Sequence, residues 1–154
     1  MGGKTKIETK FMKEALHEAR IAYTEGEVPV GAVVVCDDRI IARAHNKVEV
    51  TKDASAHAEL LAMREASRSV GRRLNQCVLY VTLEPCAMCM GAAMNFRIGG
   101  IVFGAFDSVA GCAFSCCELA NGMTTGKIPC IGGVDADECS QLLSDFFKSK
   151  RQFN

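Results

Sequence analysis

Two short stretches, His57-Ala58-Glu59 and Pro85-Cys86-Ala87-Met88-Cys89, constrain this chain more than anything else in its 154 residues. A Cys-x-x-Cys pair behind a proline is a metal half-site or a redox pair. A helix starting there sets the two sulfurs on one face, and its N-terminal dipole favours thiolates. A redox pair requires nothing further, whereas a zinc site requires more ligands. The chain has three histidines. His17 falls at the polar edge of a helical stripe and reads as surface. His45 ends a strand and reads as rim or packing. His57 stands at a helix start 29 residues before Cys86, a span of one helix plus one strand. In an α/β sheet that crossover brings two helix N-termini to the same end.

The rest of the chain supplies such a sheet. Ile7, Phe11, Met12, Ala15, Leu16, Ala19 and Tyr23 mark one helical face, with Thr5 and Glu8 as a capping box. VPVGAVVVC is an apolar run of strand length, and a turn at Asp37-Asp38-Arg39 pairs it with IIARAH as a hairpin. Ser55 is the expected cap of a helix running through Ala66. CVLYVTL reads as a strand, Pro85 opens a helix to about Phe96, and IGGIVFGAF is another strand. CAFSCCELANG reads as a short helix, and Ile128–Ile131 as an edge strand or loop because Pro129 removes a ladder donor. Asp135 and Glu138 are expected to cap a last helix buried through Cys139, Leu142, Leu143, Phe146 and Phe147. This order predicts a three-layer α/β/α domain over residues 1–154, with helices on both faces of a mixed sheet.

Composition narrows the function. Lys+Arg and Asp+Glu both number 18, so the charge balance demands neither a nucleic acid nor a membrane, and any basic footprint is local. No apolar run approaches the ~18 residues of a membrane span, and the polar start MGGKTKIETK has no apolar signal core. The expectation is a soluble protein of the cytoplasm. Nine cysteines, an odd number at uneven spacing, argue for buried thiols and metal ligands over a disulfide framework. Cys112, Cys116 and Cys117 lack an obvious fourth ligand and read as buried cysteines.

His-Ala-Glu followed by Pro-Cys-Ala-Met-Cys matches the zinc deaminase signature. His57, Cys86 and Cys89 would be three ligands of one Zn2+, leaving the fourth tetrahedral position to water. Glu59 would be the acid/base group that moves protons between that water, a ring nitrogen and the departing amine. A carboxylate in the first turn of a helix is otherwise only solvated; beside His57 it has a task.

From Phe11 to Gln152 the chain resembles the bacterial tRNA-specific adenosine deaminases, within the cytidine deaminase-like fold. The matching stretches are EVPVGAV, Asn46, ASAHAELLA, LYVTLEPCAMC, RIGGIVFGAFD and DADECSQLLSDFFKSKRQ. The resemblance implies a mixed five-stranded sheet, conversion of adenosine to inosine at the anticodon wobble position, and a homodimer with one zinc per subunit. It implies that Asn46 helps to hold the flipped nucleotide, that Val28 and Pro29 wall the pocket, and that Asp107 contacts a flanking ribose. Lys148, Lys150 and Arg151 would approach phosphates of the anticodon stem-loop. On their own, Asn46 and Asp107 are turn or cap formers, Pro29 enters a strand, and the basic tail complements a helix dipole.

One stretch departs from the family. After GAFDSVAG, where relatives carry small residues and then an Asn-His pair, this chain has CAFSCCELANGMTTGKIPC without a histidine. Two further readings therefore stand beside the first. One is a deaminase of a free base or nucleoside, such as guanine or cytosine, with the same zinc site. The other is a noncatalytic zinc-stabilised subunit, against which Glu59 speaks.

Overall fold

The computed structural model describes residues 7–116, 119 and 127–151. Helix α1 (Thr9–Thr24) leads into the hairpin β1 (Gly31–Cys36) and β2 (Arg39–His45). A single turn, α2 (Val48–Thr51), precedes α3 (Ala58–Val70), β3 (Cys77–Leu83), α4 (Ala87–Phe96) and β4 (Gly100–Ala105). The short β5 (Cys130–Ile131) and α5 (Ala136–Arg151) follow. The five strands form one sheet in the order β2-β1-β3-β4-β5. β1 is antiparallel to both neighbours, and β3, β4 and β5 are parallel, so the sheet is mixed.

The pleat sorts the side chains into two cores. Ala32, Val34, Leu79, Val81, Ile101 and Phe103 pack with Ala58, Ala62 and Met63 of α3 and Met90 and Ala93 of α4. The alternate residues Val33, Val35, Tyr80 and Val102 pack with Phe11, Met12, Ala15 and Leu16 of α1 and Cys139 of α5. α1 crosses so close over the start of β1 that a Cβ on Gly31 would collide with the Ala15 carbonyl oxygen and the Ala19 nitrogen. Asp37 and Asp38 close the hairpin, both at positive φ (52° and 58°), the geometry that a two-residue turn between twisted strands demands.

The helix ends differ from expectation. The N-cap of α1 is Glu8, without a side-chain cap bond, so Glu8 is not the third residue of a box; Thr5 lies outside the described residues. α3 starts after His57, and Ser55 instead donates its backbone N–H and hydroxyl to Asp53. Pro85 sits just before the Cys86 N-cap of α4 rather than inside the helix. Of the stretch expected as a short helix, Cys112–Ser115 run as turns, while residues 117, 118 and 120–122 lie outside the described residues; Cys112 is buried but Cys116 is exposed, against expectation. Glu138 does not cap α5 but reaches Lys13 and Arg20 of α1. Phe147, expected in the core, is exposed. β5 has two residues at the sheet edge, immediately after Pro129.

Because β1 runs against β3 and β4, the start of β1 and the ends of β2, β3 and β4 share one edge. The segments holding Val28, Asn46, Glu84–Cys86 and Asp107 all emerge there.

Candidate active site

At that edge His57 is the N-cap of α3 and Cys86 the N-cap of α4, with Cys89 in the first turn of α4. The N-termini of two helices therefore converge on the site, where their dipoles favour negative charge. The His57 Nδ1 lies 3.6 Å from the Cys86 Sγ and 3.6 Å from the Cys89 Sγ. A tetrahedral zinc with Zn–S of about 2.3 Å and Zn–N of about 2.0–2.1 Å needs an N···S separation of about 3.6 Å. All three donor atoms lie within 4.8 Å of one another, and no other cluster of metal-ligating groups of this kind occurs among the described residues. The donor set fits one zinc ion.

The electrostatics agree. Hydrogen bonding from Cys89, and then from His57, brings the Cys86 thiol down to about 4 despite burial. The Cys86 sulfur and burial push the Cys89 thiol up. The Cys86 sulfur also raises His57. These groups hold protons between them that a divalent cation displaces. Glu59 is buried, 4 % exposed, and burial lifts its carboxyl to about 7. It is not part of the His-Cys-Cys triangle.

A cleft of about 900 Å³ opens beside the triangle. Its lining includes His57, Glu59 and Cys86 together with Val28, Asn46, Asp107 and Lys150. Pro29 is buried outside the lining, and Lys148 and Arg151 are exposed on the last turn of α5 without reaching the cleft. The Asn46 amide donates to the Val28 carbonyl at 3.1 Å and accepts from the Ala58 N–H at 2.9 Å. It thereby holds the cleft wall and the start of α3 at once. Asp107 Oδ1 accepts the backbone N–H groups of Val109 and Ala110, forming its own turn. His17 is exposed; His45 is buried between Glu18 (2.9 Å) and Glu25 (3.1 Å), away from the metal triangle.

Three contributors escaped the sequence reading. Glu27, 1 % exposed, accepts the N–H groups of Glu49 and Val50 and so caps α2. Glu84, 2 % exposed, accepts the backbone N–H groups of Asp107, Phe114 and Ser115 and the Ser115 hydroxyl. Burial alone would raise its carboxyl; these bonds outweigh that and lower it. Phe147 lines the cleft beside Phe146 and Lys150. The signal for Glu27 and Glu84 was available, since each is a carboxylate against an apolar strand with no cation next to it in sequence.

This fold and donor set define a zinc-binding deaminase domain, and the family model for the cytidine and deoxycytidylate deaminase zinc-binding region matches residues 5–105. The chain belongs to that family, among the tRNA-specific adenosine deaminases. It is 44% identical to the tRNA-specific adenosine deaminase of Bacillus subtilis, over 92% of this chain and 89% of that one. It is likewise 44% identical to that of Aquifex aeolicus, over 92% and 94%. A solved structure from a study of A-to-I editing by tRNA:A34 deaminases at the wobble position of transfer RNA superposes with a TM-score of 0.83. It is 39% identical, with coverage of 88% of this chain and 99% of that one. Guanine deaminase of Bacillus subtilis matches less of the chain, 66% at 36% identity and a TM-score of 0.62.

Proposed function

We propose that this protein hydrolyses adenosine to inosine at the wobble position of a tRNA anticodon, releasing ammonia. The observation that carries the chemistry is the His57/Cys86/Cys89 triangle with buried Glu59 beside it in one cleft. The substrate comes from the kinship with tRNA-specific adenosine deaminases over nearly the whole chain.

His57, Cys86 and Cys89 would hold a zinc ion, which when bound would supply a Lewis acid able to make water a nucleophile near neutral pH. Glu59 takes a proton from the attacking water and gives it to the purine ring nitrogen; it then takes the second proton, from the hydroxyl formed on the ring carbon, and gives it to the amine, which leaves as ammonia. The burial of Glu59 keeps bulk water from competing for these protons. Asn46 orients the base. An amide has two N–H donors and two acceptor sites on oxygen, and the protein uses one of each, which leaves one of each for the nucleotide. Val28 walls the pocket with Pro29 behind it, and Asp107 meets a flanking ribose. Lys150 at the cleft and Lys148 and Arg151 beyond it meet phosphates. The working form is a homodimer in the cytoplasm. Among the described residues no helix is long and apolar enough to cross a membrane.

A purine base alone offers few contacts, so selectivity for one adenosine needs the flanking nucleotides of a splayed loop. Inosine formation in an anticodon stem-loop with a wobble adenosine tests this against free adenosine, guanine and cytidine. The stem-loop is expected to be converted far faster. Equal or faster turnover of a free base would make the protein a small-molecule deaminase.

A further inference from the structure

The 107–115 loop, whose last four residues begin the stretch that departs from the family, hangs on one buried carboxylate. Glu84 lies between β3 and the metal-ligand segment, two residues before Cys86. Its Oε1 accepts the Asp107 N–H at 3.0 Å and the Ser115 hydroxyl. Its Oε2 accepts the N–H groups of Phe114 at 2.8 Å and Ser115 at 2.9 Å. The adjoining Pro85 carbonyl takes the Cys112 N–H at 2.8 Å. Both ends of the 107–115 loop are thus tied to the two residues that precede Cys86. The loop wraps the carboxylate so closely that a Cβ on Gly111 would stand 2.5 Å from the Glu84 Cδ.

The same loop faces the substrate side. Asp107 and Ala110 line the cleft, as does Glu84 itself. Val109 and Phe114 of this segment, and Phe106 just before it, are exposed apolar side chains, Val109 to 86%. A carboxylate with four donors on two oxygens is a rigid bracket, because each donor that leaves costs a charge-assisted bond in a buried place. The 107–115 wall therefore cannot shift independently of the metal-ligand segment.

We propose that Glu84 is a positioning residue for RNA specificity: it sets the 107–115 loop at a fixed height against the metal centre, where the loop receives the nucleotide flanking the target adenosine. This rests on the tRNA deaminase reading. Glu84 does not touch the reacting atoms and moves no proton. It acts through Asp107 and the loop backbone, and its effect falls on substrate binding more than on turnover.

Three variants of the full-length zinc protein test this with an anticodon stem-loop RNA. Glu84→Gln keeps the size but turns an NH2 group toward donors. It is expected to hold one zinc, to lose hydrogen-exchange protection at Phe114 and Ser115, and to raise KM by roughly tenfold with a smaller change in kcat. Ser115→Ala removes only the hydroxyl donor, leaves the three backbone donors in place, and shifts KM the same way to a lesser degree. Gly111→Ala pushes on the carboxylate from the loop side and also raises KM. Unchanged KM in Ser115→Ala and Gly111→Ala, with zinc lost from Glu84→Gln, would overturn the proposal and leave Glu84 as support for the metal segment. A fall in kcat at constant KM would overturn it as well. Failure of the wild-type protein to deaminate the stem-loop would instead strike the underlying assignment of substrate.

Discussion

The Asn46 Oδ1 accepts the Ala58 N–H at 2.9 Å, across 12 residues of chain, and thereby caps the helix that follows His57 of the metal triangle. One side chain thus serves the fold and faces the cleft. Two substitutions probe these roles. Asn46→Ala removes the acceptor and is expected to cost about 0.5–2 kcal/mol, as loss of an N-cap does. Asn46→Asp keeps the acceptor but removes the Nδ2 donor. It also sets a carboxylate oxygen against the Val28 carbonyl, so it is expected to lower the melting temperature somewhat while kcat/KM falls at least tenfold, by the worth of a hydrogen bond to the base. Thermal unfolding and steady-state kinetics on the same preparations check both. An Asp variant with full activity would leave Asn46 as a cap only.

Glu59→Gln is expected to retain one zinc per chain by elemental analysis and to lose turnover by about 10²–10⁴-fold, the usual worth of a positioned proton-transfer group. Cys86→Ala and Cys89→Ala are expected to lose both zinc and thermal stability, because metal binding is coupled to folding. A Glu59→Gln protein of near-normal rate would remove this carboxyl from the mechanism.

Much of this geometry was legible from residue types. CVLYVTL is β3 to the residue, and the 29 residues from His57 to Cys86 were enough to foresee two helix starts at one edge. The helix boundaries slipped because the caps are not local. Ser55 looked like the cap of α3, but the start of that helix is bonded by Asn46, which no sequence window around Ser55 contains. The 112–116 segment looked helical, yet the N–H groups of Cys112, Phe114, Ser115 and Cys116 go to the Pro85 carbonyl, to Glu84 and to the Gly111 carbonyl, so turns satisfy these four without a helix. Phe147 fits the apolar stripe of α5 but falls where the sheet edge ends and the cleft begins. Only the tertiary arrangement places that boundary.

The outer face of α4 predicts the dimer contact. Ala87, Met88 and Asn95 are exposed, Gly91 and Ala92 are half-buried, and the helix carries no charge from Ala87 to Phe96. A Cβ at Gly91 meets nothing within 4 Å, so a larger residue there leaves the protomer undisturbed. Sedimentation of the wild type at micromolar concentration is expected to give a homodimer, and Gly91→Arg a folded monomer. A wild-type monomer, or a Gly91→Arg dimer, would exclude this face.

Stability carries a pH dependence from the contact between α1 and α5. Glu138 bonds Lys13 at 2.8 Å and Arg20 at 2.6 Å, and the bond to Lys13 is the leading cause of its lowered carboxyl pKa. A carboxyl depressed in the folded state adds stability that is present above its unfolded value and is lost as pH falls through the folded one. Glu138→Gln is therefore expected to lower the melting temperature modestly at neutral pH and low salt. The difference should shrink with added salt and vanish in acid, below the usual glutamate range. Parallel melting curves for the two proteins across pH read this directly.

Lys150 differs from its basic neighbours in reaching the cleft, where its Nζ stands 5.4 Å from the centroid of the Phe146 ring. Lys148 and Arg151 are exposed outside it. If phosphates of a bound loop enter along the cleft, Lys150→Ala should weaken stem-loop binding more than Lys148→Ala or Arg151→Ala. Removing the partner of one phosphate in single-stranded RNA flattens the dependence of log K on log salt by about 0.7. The wild-type slope should itself be shallow, since the chain has as many acidic as basic residues, 18 of each. Zinc content should not change in any of the three variants. Equal weakening in all three would mean a diffuse attraction along the α5 tail, and an unchanged slope in Lys150→Ala would place the phosphates elsewhere.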